Sequence, residues 1–96
     1  ARMGAANSAL KDYEQALIMD RKNVFAYVAR ASLYNKQGDY DRAIEDCNQA
    51  LEIKPDFLDA YRVRSLAFAH KKQYKECLDD CNFYLMQSKG NDKRQA

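Results

Sequence analysis

Apolar side chains recur along this chain at intervals of three and four residues, the spacing of one face of an α-helix. The clearest stripe consists of Ala43, Ile44, Cys47, Ala50 and Leu51. Gly38-Asp39 and Pro55-Asp56 interrupt the pattern, and we expect Asp56 to cap the helix that follows. The stripes and breaks predict five helices, near residues 5–19, 24–37, 41–53, 58–71 and 75–88, followed by a polar tail, 89–96, that frays.

The chain repeats itself at an offset of 34 residues. Between 24–57 and 58–91, eight of 34 positions are identical, whereas unrelated segments would share roughly two. The identical pairs are Ala26/Ala60, Tyr27/Tyr61, Arg30/Arg64, Tyr40/Tyr74, Asp46/Asp80, Cys47/Cys81, Asn48/Asn82 and Leu51/Leu85. The same offset relates 4–23 to 38–57, so residues 1–88 divide into a half repeat (4–23), a full repeat (24–57) and a near-full repeat (58–88).

Each repeat places small residues where its two helices are expected to cross. Ala31 and Ser65 lie on the first helices, and Ala43 on a second helix faces that crossing. A bulky side chain at such a position would push the helix axes apart, so we expect these residues to be buried.

The order of aromatic and small residues within each unit resembles the tetratricopeptide repeat, whose period is also 34. The residues that carry the resemblance are Tyr27, Ala31, Tyr34, Gly38, Tyr40, Ala43, Cys47, Ala50, Leu51 and Pro55, then Tyr61, Ser65, Phe68, Tyr74, Cys77, Cys81 and Leu85. The resemblance implies an all-α, right-handed superhelical solenoid of antiparallel helix pairs and a non-catalytic protein-binding role as a scaffold or adaptor. Three departures are Tyr84 in the place of a small residue, and Arg21 and Lys89 in the proline position.

Composition agrees with a helical domain. Glycine and proline together number four of 96 residues, too few for a many-stranded β-sandwich. The longest apolar run, Val24 to Ala29, is far shorter than the roughly 18 residues of a membrane span. The chain begins without methionine, and we interpret it as a fragment of a longer array.

The charge is nearly balanced, with 16 basic and 14 acidic residues and a net charge of +2. Residues 1–23 sum to +1, 24–57 to −2 and 58–96 to +3. Weak overall charge disfavours nucleic acid and anionic membranes as partners, and the basic residues of the last segment are interpreted as solvated helix faces.

The sequence offers little for catalysis or cofactor binding. His70 is the single histidine, and no serine or cysteine adjoins it in a nucleophile motif. Cys77 and Cys81 share a helix face and leave a zinc or redox site open as the alternative, but Cys47 and Cys81 occupy an apolar core position. We therefore predict no metal or cofactor, structural free cysteines, and an intracellular, cytoplasmic location.

The family resemblance implies that the first helix of each pair lines a concave groove for an extended peptide or a helix. The predicted partner-binding residues are Phe25, Val28, Ser32, Asn35, Lys36, Asp59, Arg62, Leu66 and His70. The alternative is that the apolar members, Phe25, Val28 and Leu66, pack against a neighbouring helix instead.

Chaperone cofactors of this family hold an acidic C-terminal peptide with a clamp of lysine, asparagine and arginine. In one frame the clamp positions hold Ala29, Asp59 and Val63, and in the other they hold Val28, Ser32 and Val63. Neither frame supplies the clamp, so we predict no strong binding of such a peptide.

The first helix lacks the repeat partner that precedes it in an array. Its apolar stripe consists of Ala9, Leu10, Tyr13, Ala16 and Leu17. We expect one side to pack on the next helix and the rest to drive self-association. A spacer that stacks on neighbouring repeats is therefore the alternative to a groove-directed function.

Overall fold

The computed structural model describes the backbone of residues 2–95 and the side chains of residues 8–88. Five helices make up this part of the chain, which contains no strand. They are α1 (Arg2–Met19), α2 (Val24–Gln37), α3 (Tyr40–Ile53), α4 (Leu58–His70) and α5 (Tyr74–Gln95). The predicted all-α repeat of five helices is confirmed, with most ends within one residue of the expected position.

The last helix is longer than the sequence pattern predicts. We expected it to end at residue 88, but α5 continues to Gln95. The prediction was wrong because it relied on the end of the apolar stripe, and a polar sequence without proline can continue a helix.

The helices form two antiparallel pairs, α2 with α3 and α4 with α5, and α1 packs on α2. Helix α4 contacts both α3 and α2. Among the described residues, by contrast, α1 does not contact α3, and α3 does not contact α5. Helices α2 and α4 therefore lie close together on one side, whereas α1, α3 and α5 are spread apart on the other. The surface formed by α2 and α4 is thus the concave one.

Small residues close the helix crossings, as predicted. Ala31 and Ala43 are fully buried, and Ser65 is buried as well. The core cluster consists of Val24, Val28, Ala31, Tyr34, Ala43, Cys47, Ala50, Ala60, Val63 and Ala67. Five of these ten residues are alanines, and their small volume is what lets the helix axes approach.

Each helix pair is joined by the same ion pair, between a half-buried arginine and a buried aspartate. Arg30 Nε donates to Asp46 at 2.7 Å in the first pair, and Arg64 Nε donates to Asp80 at 2.8 Å in the second. The second arginine nitrogen donates to the other carboxylate oxygen in both, so each contact is bidentate. These hydrogen bonds raise the pKa of Arg30 and of Arg64 against the opposing effect of burial.

The two pairs also turn in the same way. Gly38 follows α2 with φ +84°, and Lys72 takes the equivalent left-handed position after α4 with φ +64°. The amide of the next residue bonds back to an aromatic residue of the helix, Asp39 to Tyr34 and Gln73 to Phe68, each at 2.9 Å. One turn thus uses glycine where the other holds a lysine in a conformation that L-residues rarely adopt.

Side chains cap the start of two helices. Asn23 accepts from the amide of Ala26 at 3.1 Å to begin α2, and Asp39 accepts from Arg42 to begin α3. Helix α4 differs, because its N-cap is Phe57, which makes no side-chain cap bond. The prediction of Asp56 as the N-cap of α4 was wrong. The N-cap is Phe57, which lies 34 residues after the N-cap Asn23 of α2, and Asp56 precedes it by one residue.

No helix in the described part of the chain is both long enough and apolar enough to cross a membrane.

Candidate partner-binding groove

Helices α2 and α4 present large apolar side chains on their concave surface. Phe25 near the start of α2 is 71% exposed, and Leu66 on α4 is 49% exposed. Ser32 is half-buried beside them, and Lys36 is exposed one turn further along α2. Because positions 25, 32 and 36 share one helical face, these residues form a mixed apolar and polar wall.

Phe25 is held in place by an aromatic contact. Its ring meets the edge of Phe57, with 5.3 Å between the ring centroids and planes 88° apart. Phe57 is half-buried and packs against the core cluster. Edge-to-face contact of this kind favours one orientation of Phe25 without burying it. Helical periodicity does not predict this support, and its one signal in the sequence is that Phe57 stands 34 residues after the cap residue Asn23.

Two predicted groove residues are engaged within the protein and are not available to a ligand. Val28 is buried in the core cluster, so it is unavailable to a partner and the alternative of helix packing holds for it. Asn35 donates from Nδ2 to the carbonyl of Val63 at 3.1 Å. Its Oδ1 is buried and has no hydrogen-bond partner among the described residues. Asn35 therefore joins α2 to α4, and Val28 belongs to the core.

The charged residues of α4 pair with one another. Arg62 Nε lies 3.7 Å from Asp59 Oδ1, one helical turn away, and both side chains are more than half exposed. Such a pair is weak and easily exchanged for a ligand's charge. Arg62 also borders a cavity between α4 and α5, so it faces two surfaces.

His70 lies at the end of α4 against the start of α3. Its ring stacks on Tyr40, with 4.7 Å between centroids and planes 4° apart. The neighbouring Lys71 forms an ion pair with Asp41 on the same two helices. These contacts tie α4 to α3, and they place the predicted groove residue His70 at the edge of the wall.

The three cysteines differ in burial, since Cys47 is fully buried and Cys77 and Cys81 are partly exposed. Burial raises the pKa of Cys47 to about 12, so this thiol stays protonated. Burial and the neighbouring Cys81 also raise the pKa of Cys77. Among the described side chains, no three histidine, cysteine or acidic residues are grouped so that they could hold a metal ion.

The tetratricopeptide repeat family model matches residues 24–57, the first complete helix pair. No curated protein sequence is significantly similar to the chain.

Solved structures share the whole architecture. The crystal structure of MamA is 24% identical with a TM-score of 0.86, over 96% of this chain and 54% of MamA, and at that identity it shows the fold alone. The second TPR of Spaghetti (RPAP3), bound to HSP90 peptide SRMEEVD, is 25% identical with a TM-score of 0.82, over 88% of this chain and 79% of its own. The Arabidopsis OM64 TPR domain is 26% identical, also with a TM-score of 0.82, over 88% and 70%. The chain thus spans about half the length of MamA.

Proposed function

Because residues 24–57 form a tetratricopeptide repeat, we propose that this chain is a non-catalytic scaffold or adaptor segment that binds a peptide or helix in the groove of α2 and α4. The observation that carries the proposal is the exposure of Phe25 and Leu66 on the concave surface. The accessible members of the binding surface are Phe25, Ser32, Lys36, Asp59, Arg62 and Leu66, with His70 at its edge.

The positions of the two apolar residues suggest the spacing of the ligand. Phe25 corresponds to Asp59 in the next 34-residue repeat, and Leu66 lies seven residues after Asp59 on α4. At 1.5 Å per residue, Leu66 is therefore displaced along the helix by about 10 Å. With helix axes about 9 Å apart, the two side chains are separated by about 14 Å. An extended peptide covers that distance in about four residues, so the ligand would carry two large apolar side chains about four positions apart.

The arrangement of arginines supports a protein ligand over nucleic acid. Arg30 and Arg64 are committed to buried carboxylates, and Arg42 and Arg62 each lie near an aspartate of their own turn. Phosphate binding requires basic side chains that are free to meet the backbone of the nucleic acid. The groove instead offers apolar contact with a few exchangeable charges.

The ligand differs from the acidic peptide seen with the RPAP3 domain. Peptide SRMEEVD is bound in that structure. In this chain, Val63 is buried and Asp59 pairs with Arg62, so the positions of a basic clamp offer no free cation. We expect SRMEEVD to bind weakly, and calorimetry that finds low-micromolar affinity for it would contradict this expectation.

Selection from a random peptide library tests the groove directly. We expect the selected peptides to share two large apolar residues about four positions apart. The double variant Phe25→Ser, Leu66→Ser should lose binding by at least about tenfold, because each buried apolar side chain contributes about 1.5–3 kcal/mol when fully covered.

The matched control is Ile53→Ser, because Ile53 is also exposed but lies on α3, outside the groove. Circular dichroism establishes that all variants keep their helices. If the double variant binds the selected peptides as tightly as the unaltered chain, the proposed groove function is wrong.

Self-association is a second candidate, and exposed residues on α1 favour it. Leu17 is buried against the chain itself, but Ile18 and Met19 next to it are 71% and 86% exposed. In that case the segment would act as a spacer that stacks on a neighbour. We expect sedimentation to show a dimer that Ile18→Glu, Met19→Glu dissociates, and a monomer at millimolar concentration would refute this candidate.

A further inference from the structure

The concave groove differs in charge between its two ends. At one end the equivalent positions of α2 and α4 hold Phe25 and Asp59, and Asp59 is paired with Arg62 at 3.7 Å. At the other end the equivalent positions hold Lys36 and His70. Both are exposed, and neither takes part in an ion pair among the described side chains. One end of the groove is therefore apolar with balanced charge, and the other presents basic side chains. We call Lys36 and His70 the basic end.

Two contacts between helices place the basic end. Asn35, the neighbour of Lys36, donates from Nδ2 to the carbonyl of Val63 at 3.1 Å, so the last turns of α2 lie against α4. Tyr40 begins α3 just after α2 ends, and its ring stacks on His70 with 4.7 Å between the centroids. Both basic residues thus project from backbone positions that the packing of the helices fixes.

The acidic residues of the adjoining turn are engaged with other partners. Asp39 Oδ2 lies 3.5 Å from Nε of Arg42, and Asp41 forms an ion pair with Lys71. Among the described residues, no carboxylate of the chain itself therefore balances Lys36. An acidic group of a ligand can take that place.

The helix dipole alone does not account for the basic end. A basic residue in the last turn stabilises any helix, because it interacts with the free carbonyl groups there. Helices α2 and α4, which line the groove, each have one in the last turn, Lys36 and His70, but α1 and α3 have none. Among these four helices, a basic residue thus occurs in the last turn only where the helix borders the groove.

We propose that the basic end binds an acidic side chain of the peptide ligand, an inference that rests on the proposed groove function. Lys36 Nζ and a ring N–H of His70 would donate to the carboxylate. These residues lie outside the positions of the basic clamp discussed above. The ligand would therefore combine two apolar side chains with one acidic side chain.

The helix geometry gives the spacing along the ligand. His70 follows Leu66 by four residues on α4, which is about 6 Å along the helix. Lys36 lies at the equivalent level of α2, with helix axes about 9 Å apart. The basic end is thus about 6–11 Å from Leu66, a distance that an extended peptide covers in about two or three residues. Gly38 and Lys71 beyond it are exposed, so the groove is open there and favours an acidic side chain of a continuing peptide over a terminal carboxylate.

Peptides with blocked ends test this charge preference. Each has about ten residues, with two leucines four positions apart in a background of serine and glycine, an uncharged fluorophore, and acetylated and amidated ends. Glutamate, glutamine or lysine stands three positions beyond one leucine, and the peptides are made in both directions. Titrated with the complete 96-residue chain, the glutamate peptide should bind about three- to tenfold more tightly than the lysine peptide in one direction. That is the range expected when an exposed ion pair replaces a repulsion.

Variants of the chain locate the preference. Lys36→Glu should reverse it, so that the lysine peptide binds more tightly than the glutamate peptide. Lys54→Glu is the matched control, because it changes the net charge equally at an exposed residue that follows α3, outside the groove, and it should keep the preference. The difference between the peptides should also shrink in 1 M NaCl, where the Debye length is about 3 Å.

Other outcomes overturn the proposal. Equal affinity for the glutamate and lysine peptides in both directions would do so, as would a glutamate preference that survives Lys36→Glu. Tighter binding of a shortened peptide whose free carboxylate replaces the glutamate would show that a chain terminus occupies the basic end. Failure of the groove function is distinguishable, because the affinity of every peptide would then be the same for the Phe25→Ser, Leu66→Ser variant as for the unaltered chain.

Discussion

Lys72 occupies a backbone conformation that glycine adopts in the other repeat. With φ +64°, it is the one non-glycine residue in the described backbone with a positive φ, and it follows α4 as Gly38 follows α2. Its side chain is exposed, and its amide donates to the carbonyl of Ala69 at 3.0 Å. We predict that Lys72→Gly stabilises the protein, because the hydrogen bonds of the turn are made by the backbone and stay in place.

Two opposing effects set the magnitude. An L-residue in the left-handed region lowers the stability of the folded chain by about 1–2 kcal/mol, a penalty that glycine does not have. Glycine in turn gives the unfolded chain more freedom, which costs about 0.5–1 kcal/mol. The net gain is about 0.5–1 kcal/mol, and for a domain of this size that corresponds to a rise in Tm of about 2–8 °C.

Gly38 supplies the reverse experiment. At φ +84°, an added Cβ meets no heavy atom within 4 Å, so Gly38→Ala introduces backbone strain and no steric clash. We expect this substitution to destabilise the protein by about the same 0.5–1 kcal/mol. The double variant Gly38→Ala, Lys72→Gly should then have nearly the stability of the unaltered chain, since the two backbone effects are of about equal size and opposite sign.

Thermal and urea unfolding followed by circular dichroism measure both effects. Lys72→Ala is the control that removes the charge but keeps the left-handed strain, so it should leave Tm close to that of the unaltered chain. Equal stabilisation by Lys72→Ala and Lys72→Gly would show that the lysine charge and not the backbone was responsible. A fall in Tm with Lys72→Gly would refute the reasoning entirely.

Two further predictions concern buried groups. Asp46→Ala should destabilise the protein by about 1–3 kcal/mol, because the half-buried Arg30 loses its partner. Asp80→Ala should cost less in urea unfolding because Arg64 also donates to Asn48 Oδ1 at 2.7 Å, and a larger loss for Asp80→Ala would contradict this order. Cys47 should resist Ellman's reagent at pH 8 in the folded chain, because burial raises its pKa to about 12. Above the ordinary thiol pKa of 9.0 the unfolded chain releases this proton and the folded chain keeps it, so stability should fall by up to about 1.4 kcal/mol per pH unit until about pH 12. Cys47→Val should lack that component of the pH dependence, and identical pH profiles for the two proteins would refute the assignment.

The helices were predictable because each carries its own local signal. The stripe in α3 depends on side-chain spacing and the breaks depend on the backbone properties of Gly38 and Pro55, and the observed bounds follow these local signals closely. The end of α5 and the cap of α4 were not predictable in this way. At Phe57 the tertiary contact with Phe25 takes the place of a capping bond, and a local pattern does not contain that information.

The groove was predictable only in part. Helical spacing correctly assigns Phe25, Leu66 and Lys36 to an accessible face, but it assigns Val28 to the same face. The packing of the helices decides the difference, since Val28 is buried in a core cluster to which residues of α2, α3 and α4 all contribute. The stacking of His70 on Tyr40 is likewise a contact between separate helices, so the local sequence does not predict it.

Comparison of the two repeats separates structural residues from those free to serve binding. The residues of the ion pairs are unchanged, at Arg30 and Arg64 and at Asp46 and Asp80, since each must meet the same neighbour. The groove positions differ in chemistry, because Phe25 corresponds to Asp59 and Ser32 to Leu66. These positions are exposed or half-buried and lie outside the core cluster, so a repeat can change them without losing its fold. The concave surface is therefore where two helices of nearly identical geometry carry different chemistry, as recognition of an asymmetric ligand requires.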